Sequence, residues 1–194
     1  CKGELAYTAW PKWDEKALVK SEVEIAVQVA GKIRGRIMIP ADMTKEAAEG
    51  CVKAAEILRK QGYVMKFFDA YRPQRAVDDF CRWGEDSADQ RRKPVHYPNV
   101  EKLKMFDEGY IARRSGHTRG KAVDLTLVDM KTHQELDMGS IFDFMDPRSW
   151  PDSDQVTPEQ RKNRYILRDA MLACGFEPYE CEWWHFSVTP EPYP

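Results

Sequence analysis

Apolar and polar residues alternate along residues 22–39, on both sides of the pair Ala30-Gly31. Period two on either side of a glycine-containing turn predicts a β-hairpin with one buried face. The apolar positions of that face are Val23, Ile25, Val27, Val29, Ile33, Ile37 and Ile39. The opposite face carries three cations, which is typical of a solvated face, with RNA contact as the alternative; they are Lys32, Arg34 and Arg36.

A helical period of three to four residues follows Thr44 and returns after Thr157. The first predicted helix carries its apolar residues on one face and ends at Gly62. The second begins with TPEQ, in which Thr157 and Gln160 have the spacing of a capping box, and it ends at Gly175.

Short strands are predicted between and after these helices. VMKFFDA, residues 64–70, is an apolar run that contains one acid near its end, and AVDLTL, residues 122–127, is another run with one acid inside it. The aromatic-rich FEPYECEWWHFSV, residues 176–188, favours a final hairpin-like pair. Pro73 suits the first turn of a further helix, and the polar residues 85–99 are predicted to form a loop.

The composition restricts the class of protein. With 194 residues, the chain has the length of one ordinary domain or of one domain with a small appendage. A net charge of −2 gives no indication of a nucleic-acid or membrane partner, and no apolar run is long enough to span a bilayer. Five scattered cysteines without a CxxC pair argue against a disulfide framework and favour a reducing, cytoplasmic location. No cysteine has a recognisable activating environment, which disfavours a cysteine nucleophile.

Asp124 lies inside an apolar run, where an isolated carboxylate would be costly to bury. Two histidines are candidate partners: His117, seven residues earlier, and His185, within EWWHFSV. Residues seven apart on a straight strand point to opposite faces, so His117 can meet Asp124 only if the chain turns between them, which Gly120 allows. Two imidazoles and one carboxylate are the ligand set of a catalytic zinc site whose fourth position is open.

Two further residues would complete a hydrolytic site. Glu182 stands three residues before His185 and is the candidate general base, and Arg72 is the candidate that stabilises a tetrahedral oxyanion. Simpler interpretations stay open: His185 as a satisfied core histidine, Asp124 as an ion-pair partner of Arg119 or Lys121, and Arg72 as a partner of Asp69. His96 and His133 lie in polar stretches and are expected to be solvated.

Four motifs occur in a characteristic order: DAYRP, SGHTRGKAVDLTL, MGSIFDFMD and EWWHF. Together they resemble the D-alanyl-D-alanine dipeptidases of the vancomycin-resistance type, which belong to a zinc peptidase group, family M15, that also includes D-Ala-D-Ala carboxypeptidases. The resemblance covers about residues 51–194. It implies an α+β fold, in which a small antiparallel sheet with packed helices carries the zinc site.

The resemblance also implies a role for each candidate residue and a reaction. It implies that His117, Asp124 and His185 are the ligands of one Zn2+ ion. Glu182 would be the general base and Arg72 the transition-state arginine, and Ser115 and Asp143 would contact the substrate's free amino end. The implied reaction is hydrolysis of D-alanyl-D-alanine by a metal-activated water, in cell-wall precursor metabolism or vancomycin resistance. An acid held for a substrate ammonium would select dipeptides over chains with blocked amines.

The first part of the chain resembles a different family. Residues 10–46 are similar to the C-terminal region of bacterial leucyl-tRNA synthetases, where such a hairpin belongs to a small domain that contacts tRNA. The dipeptidases have an N-terminal segment of their own, with a YAT-x-x-N-F-x-G-like stretch, which this sequence lacks. We therefore expect a β-hairpin segment over residues 1–46, joined to a dipeptidase domain over residues 47–194.

Two alternatives accompany this interpretation. A zinc D,D-carboxypeptidase or endolysin-like peptidase would cut longer peptidoglycan peptides, and a substrate panel distinguishes it because a true dipeptidase rejects N-acylated peptides. An RNA-binding module, carried by the basic hairpin, would bind tRNA in a salt-dependent way. The near-zero net charge counts against nucleic acid as a partner, and the sequence leaves the oligomeric state open.

Overall fold

The computed structural model describes residues 44–189 in full, and residues 22–29 and 32–40 as backbone. The two backbone segments are strands β1 (Glu22–Val29) and β2 (Lys32–Pro40), which pair antiparallel as a separate two-stranded sheet with one irregularity in its register. The predicted turn at residues 30–31 and the predicted burial of one hairpin face lie outside the described residues.

Four helices and four strands alternate irregularly along residues 44–189. They are α1 (Lys45–Lys60), β3 (Tyr63–Asp69), α2 (Gln74–Glu85), α3 (Lys93–His96), β4 (Ala122–Asp129), α4 (Pro158–Leu172), β5 (Phe176–Tyr179) and β6 (Glu182–Val188). Two short 3₁₀ turns lie in the connections, at Lys102–Met105 and Pro147–Ser149.

Caps at the helix ends explain where α1 and α4 begin and stop. The Thr44 side chain accepts a hydrogen bond from the backbone at the start of α1, and Thr157 and Gln160 form the predicted capping box at the start of α4. Gly62 and Gly175 follow the two helices with φ of 92° and 87°, in the left-handed region where glycine has no steric penalty. These predictions from the sequence are confirmed.

The stretch predicted as a loop over residues 85–99 needs correction, because it contains the short helix α3. Tyr97, directly after this helix, is fully buried, so the segment is anchored by its aromatic side chain in the protein interior. His96 is half-buried and bonded to the backbone, contrary to the expectation that it is solvated. Pro73 is the N-cap of α2 and so precedes its first turn.

The four strands form one antiparallel sheet with the order β3-β4-β6-β5. The predicted aromatic hairpin is the pair β5 and β6, and the predicted strand around Asp124 is β4, at the centre of the sheet beside β6. Helices combined with a small antiparallel sheet are the α+β architecture that the resemblance implied. None of the helices within the described ranges is long and apolar enough to cross a membrane.

Alternation along β4 gives the sheet two chemically different faces. Val123, Leu125 and Leu127 are fully buried in the main apolar cluster, which also takes in buried residues of α1 and α4. Asp124 lies between them in sequence and therefore points to the opposite face. A second apolar cluster is built from α2 and the long connections, with Val77, Cys81, Tyr97, Val100, Met105, Tyr110, Ile111 and Met145 at its centre. The candidate site lies where this second cluster meets the face of Asp124, because Tyr110 and Met145 also line the cavity that opens there.

Candidate metal centre

Two aspartates and one histidine lie side by side on the three adjacent strands β3, β4 and β6. In the register of the sheet, Asp69 on β3 is opposite Asp124 on β4, and Asp124 is opposite His185 on β6. Directly opposed residues of antiparallel strands have their side chains on the same face, so Asp124 and His185 meet by strand pairing alone. An irregularity between Phe67 and Asp69 adjusts the register at this edge of the site.

His117 reaches the same point from a loop. The predicted turn is present: Gly120 has a φ of 65°, its N–H donates to the carbonyl of His117, and the chain reverses before β4 begins. The Nδ1 of His117 lies 2.8 Å from the carbonyl oxygen of Ala70. A carbonyl can only accept, so Nδ1 carries a proton, and Nε2 is the ring nitrogen that faces another partner. This is how proteins commonly orient an imidazole that binds a metal.

The three candidate ligands converge on one point. The Nε2 of His117 lies 3.2 Å from Oδ2 of Asp124, and the Nδ1 of His185 lies 2.9 Å from Oδ1 of the same carboxylate. The two ring nitrogens are themselves 3.2 Å apart. One potential ligand atom from each residue lies within 4.8 Å of the others, which makes this trio the candidate cation site of the described residues.

The protonation equilibria of the trio reflect this proximity. Burial would raise the pKa of Asp124, but the hydrogen bonds from His117 and His185 outweigh it and hold the pKa at about 2. Burial would likewise lower the pKa of His117, and its contact with Asp124 outweighs that effect and raises the pKa. Asp124 is 2 % exposed, so its charge is compensated by these side chains rather than by water.

The donor set fits a zinc ion. Two imidazoles and a carboxylate match the protein ligands of catalytic zinc sites, and the buried Asp124 carboxylate gives a cation the negative charge it requires. His117 is held through Nδ1, so Nε2 is the atom that would bind the ion, after giving up the proton that it shares with Asp124. His185 faces the centre with Nδ1, while its Nε2 lies 3.2 Å from the hydroxyl of Ser187.

Glu182 lies beside the trio without being part of it. Its Oε2 is 3.8 Å from the Nδ1 of His185, and only 15 % of its side chain is exposed. Burial raises the pKa of Glu182 to about 8, although His185 acts in the opposite direction. A carboxyl group with a pKa near neutrality is suited to accepting and returning a proton.

Arg72 is held at the edge of the same cluster by Asp69. Its Nε and one terminal nitrogen donate to Oδ2 of Asp69 at 2.8 and 2.7 Å, and the same terminal nitrogen lies 3.8 Å from Oδ2 of Asp124. Burial works against the charge of Arg72, but the pair with Asp69 outweighs it and raises the pKa. The predicted ion pair between Arg72 and Asp69 is therefore present, and it fixes the arginine beside the three candidate ligands.

Ser115 and Asp143 complete the ring of predicted residues. Both line a cavity of about 210 Å³, together with the three candidate ligands, Glu182 and Arg72. The hydroxyl of Ser115 accepts a hydrogen bond from the N–H of His117 at 3.2 Å. Burial raises the pKa of Asp143 to about 6, and the nearby charge of Asp124 adds to the effect. All seven residues that the sequence singled out thus face one small cavity.

The chain was also compared with known proteins. A family model described as "D-ala-D-ala dipeptidase", Peptidase M15, matches residues 24–194. The chain belongs to this family. It is a metallopeptidase by that membership.

Relatives of this M15 peptidase carry the same description. The chain is 46% identical to a D-alanyl-D-alanine dipeptidase of Streptomyces coelicolor over 151 residues, which are 78% of this chain and 75% of that protein. It is 42% identical to one of Enterococcus faecium over the same share of both chains. A dipeptidase of Escherichia coli is 31% identical over 170 residues, 86% of this chain and 78% of that protein.

A second similarity concerns a shorter stretch of the M15 peptidase chain. The leucine–tRNA ligase of Chromobacterium violaceum is 55% identical over 53 residues, which are 27% of this chain and 6% of the ligase. The corresponding enzyme of Cupriavidus metallidurans is 50% identical over 52 residues. The resemblance of a fragment to leucyl-tRNA synthetases is therefore confirmed.

Several wall residues were not identified from the sequence. The cavity of this M15 peptidase is also lined by three side chains outside the recognised motifs, Phe80, Tyr110 and Tyr179, and by Met145, which lies inside MGSIFDFMD but was given no role there. Tyr179 donates from its hydroxyl to the carbonyl of Gly109 at 3.0 Å, which ties the β5–β6 hairpin to the opposite wall. In the sequence these positions look like ordinary aromatic or apolar residues, and the packing of the second cluster brings Phe80, Tyr110 and Met145 to the site.

Proposed function

We propose that this M15 peptidase hydrolyses D-alanyl-D-alanine with one zinc ion held by His117, Asp124 and His185. The observation that carries the proposal is the convergence of these ligand atoms within 4.8 Å. They lie in a cavity that also contains an acid with a raised pKa and a fixed arginine. The similarity to D-alanyl-D-alanine dipeptidases of Streptomyces coelicolor and Enterococcus faecium supports the choice of substrate.

The zinc ion would supply two effects, polarisation of the peptide carbonyl and a lower pKa for water, which reaches about 7 in zinc hydrolases. Glu182 then acts as the general base. It takes a proton from the attacking water and returns it to the leaving amine. Burial raises the pKa of Glu182 above its ordinary value, and the positive charge of the zinc ion would act in the opposite direction.

Arg72 stabilises the negative charge that develops on the carbonyl oxygen. Asp69 fixes the guanidinium by two short contacts, so the arginine does not have to be ordered during the reaction. A donor that is held in place before the substrate arrives contributes more to the rate than one that must be reoriented.

Ser115 and Asp143 hold the free amino end of the dipeptide. A carboxylate and a hydroxyl are both acceptors for an ammonium group, and both line the cavity. An N-acylated peptide carries no ammonium and would leave the half-buried Asp143 without a partner. This selects dipeptides over longer peptides and distinguishes the proposal from a D,D-carboxypeptidase or endolysin-like activity.

Removal of the metal is expected to abolish hydrolysis of D-alanyl-D-alanine. Dialysis against a chelator, followed by addition of zinc, should restore the activity at about one equivalent per chain. Because zinc would bind the folded chain only, the melting temperature should rise by about 10 °C when free zinc is a thousandfold above its Kd. Full activity in protein shown by elemental analysis to contain no metal would refute the proposal.

Replacement of Asp143 by asparagine is expected to raise KM for D-alanyl-D-alanine by about 10- to 100-fold with little change in kcat, because a charge-assisted contact to the ammonium is lost in both ground and transition states. The variant should also discriminate less against N-acetyl-D-alanyl-D-alanine. Asp154→Asn, at an exposed position, is the matched control. An unchanged KM would remove Asp143 from substrate binding.

We further propose that the enzyme acts in the cytoplasm and serves cell-wall precursor metabolism or vancomycin resistance. The first part of this further proposal concerns the domains: residues 1–46 form a separate hairpin segment and residues 47–194 the peptidase domain. The leucine–tRNA ligase similarity supports the first part. Four cysteines without a disulfide, Cys51, Cys81, Cys174 and Cys181, are consistent with a reducing compartment. An RNA-binding role for the hairpin predicts salt-dependent tRNA binding, which a titration at low salt tests directly.

A further inference from the structure

Asp143 lies in a long connection, residues 137–150, whose two ends are held together at its base by one buried arginine. Arg164 of α4 is 1 % exposed, and its guanidinium donates to the carbonyls of Met138, Trp150 and Arg148 at 2.6, 2.7 and 2.9 Å. These carbonyls come from both ends of the connection. The base is therefore fixed from α4, while Asp143 lies near the middle, several residues from either anchor.

The backbone at Asp143 has a conformation that needs support. Its φ is 57°, in the left-handed region that non-glycine residues rarely occupy. Within the described residues, this conformation occurs at only one other non-glycine position, His133, in the exposed turn after β4. Unusual backbone of this kind persists where surrounding contacts hold it in place.

His96, at the end of α3, makes those contacts. Its Nδ1 lies 3.1 Å from the carbonyl oxygen of Asp143, and its own carbonyl accepts a hydrogen bond from the N–H of Met145 at 2.7 Å. One residue thus binds the backbone on both sides of Phe144. Since a carbonyl only accepts, Nδ1 must carry a proton, and both the neutral and the charged imidazole can supply it.

We propose that the His96 side chain is a positioning residue for substrate selection: it holds the Asp143 peptide so that the carboxylate faces the cavity and receives the free amino end of the dipeptide. This rests on the function proposed above for Asp143. His96 does not line that cavity; it lies behind Asp143, beside an adjoining hollow lined also by Phe80, Trp83, Arg92 and Met145. Its effect on the substrate is therefore indirect.

Replacement of His96 by leucine removes the side-chain donor and keeps the backbone contact to Met145. We expect KM for D-alanyl-D-alanine to rise about tenfold, with kcat within about twofold and an unchanged zinc content, because a poorly held Asp143 weakens ground-state and transition-state binding equally. His96→Asn keeps an N–H donor near the position of Nδ1 and should restore KM to within about threefold of the parent value. If the leucine variant does not fold, His96→Gln serves in its place. The amide N–H of the longer glutamine side chain lies beyond the position of Nδ1, so the same rise in KM is expected.

The matched control is His133→Asn, because it repeats the His→Asn substitution at an exposed histidine outside the site, where asparagine tolerates the left-handed backbone. A double variant separates the two proposals. If Asp143→Asn alone raises KM and the His96→Leu change adds nothing to it, the two residues act together as proposed. If Asp143→Asn leaves KM unchanged, the function proposed for Asp143 fails. If Asp143→Asn raises KM but His96→Leu does not, or if His96→Leu lowers kcat or the zinc content instead, only the positioning role of His96 is overturned.

Discussion

Replacement of Glu182 by glutamine is expected to leave the zinc content at one ion per chain while lowering kcat for D-alanyl-D-alanine by about 10²–10⁴-fold, the usual contribution of a general base. Glutamine has nearly the same shape but cannot accept a proton from water. The metal should remain, because Glu182 lies outside the trio and its nearest oxygen is 3.8 Å from the His185 nitrogen.

The control for this variant lies two residues away. Glu180 is exposed in the turn between β5 and β6, so Glu180→Gln changes the charge of the same hairpin without entering the cavity. We expect it to retain kcat within about twofold, as is usual for surface substitutions far from a special contact. The measurement pairs steady-state kinetics with elemental analysis of the same samples. Glutamine at position 182 with parental kcat would exclude Glu182 as the base, and loss of zinc would indicate that it supports the metal instead.

The elements that carry the site could be predicted because their signals are local. The apolar run around Asp124 predicted a buried strand, which is β4. Gly120, between His117 and that strand, predicted that the chain could reverse there, and the structure contains this turn. The capping box at Thr157 and the glycine after α4 defined the ends of that helix to within a few residues. In each case a short stretch of sequence determines its own backbone, and no distant partner is needed.

The residues that surround the site were less accessible to sequence reasoning. His96 lies in a polar stretch, and nothing near it in sequence indicates that its imidazole meets the carbonyl of Asp143, 47 residues later. Tyr179 and Gly109 are separated by 70 residues and are joined by one hydrogen bond. Contacts of this kind depend on how the second apolar cluster packs over the sheet, which periodicity does not encode.

The same contrast applies to Arg72. From the sequence, a catalytic arginine and an ordinary ion-pair partner of Asp69 were competing interpretations. The structure places the ion pair and the cavity together, because β3 ends at Asp69 beside Asp124 and the chain turns at once into α2. The two interpretations are therefore not alternatives, because the pair with Asp69 is what holds the guanidinium beside the buried Asp124 carboxylate.

Replacement of Asp124 by asparagine is expected to have the largest effect of all, with loss of bound zinc and of measurable hydrolysis. Asparagine preserves the volume of a side chain that is 2 % exposed, but it removes the charge that compensates a dication and leaves a neutral amide between two imidazoles. If a total zinc-binding free energy of about 10–16 kcal/mol is shared among three or four ligands, loss of one should weaken binding by at least about a hundredfold. Zinc affinity would be measured by competition with a chromogenic chelator.

A second aspartate on the same strand separates ligand loss from general destabilisation. Asp129 ends β4 and accepts hydrogen bonds from the N–H groups of Lys131 and Thr132, so Asp129→Asn should weaken the turn slightly while leaving zinc affinity unchanged. Thermal unfolding of both variants without metal shows whether either has lost its fold. Because Asp124 is the residue that both histidines contact, zinc bound at parental affinity by a folded Asp124→Asn protein would mean that the trio does not hold the metal, and the proposed mechanism would have to be abandoned.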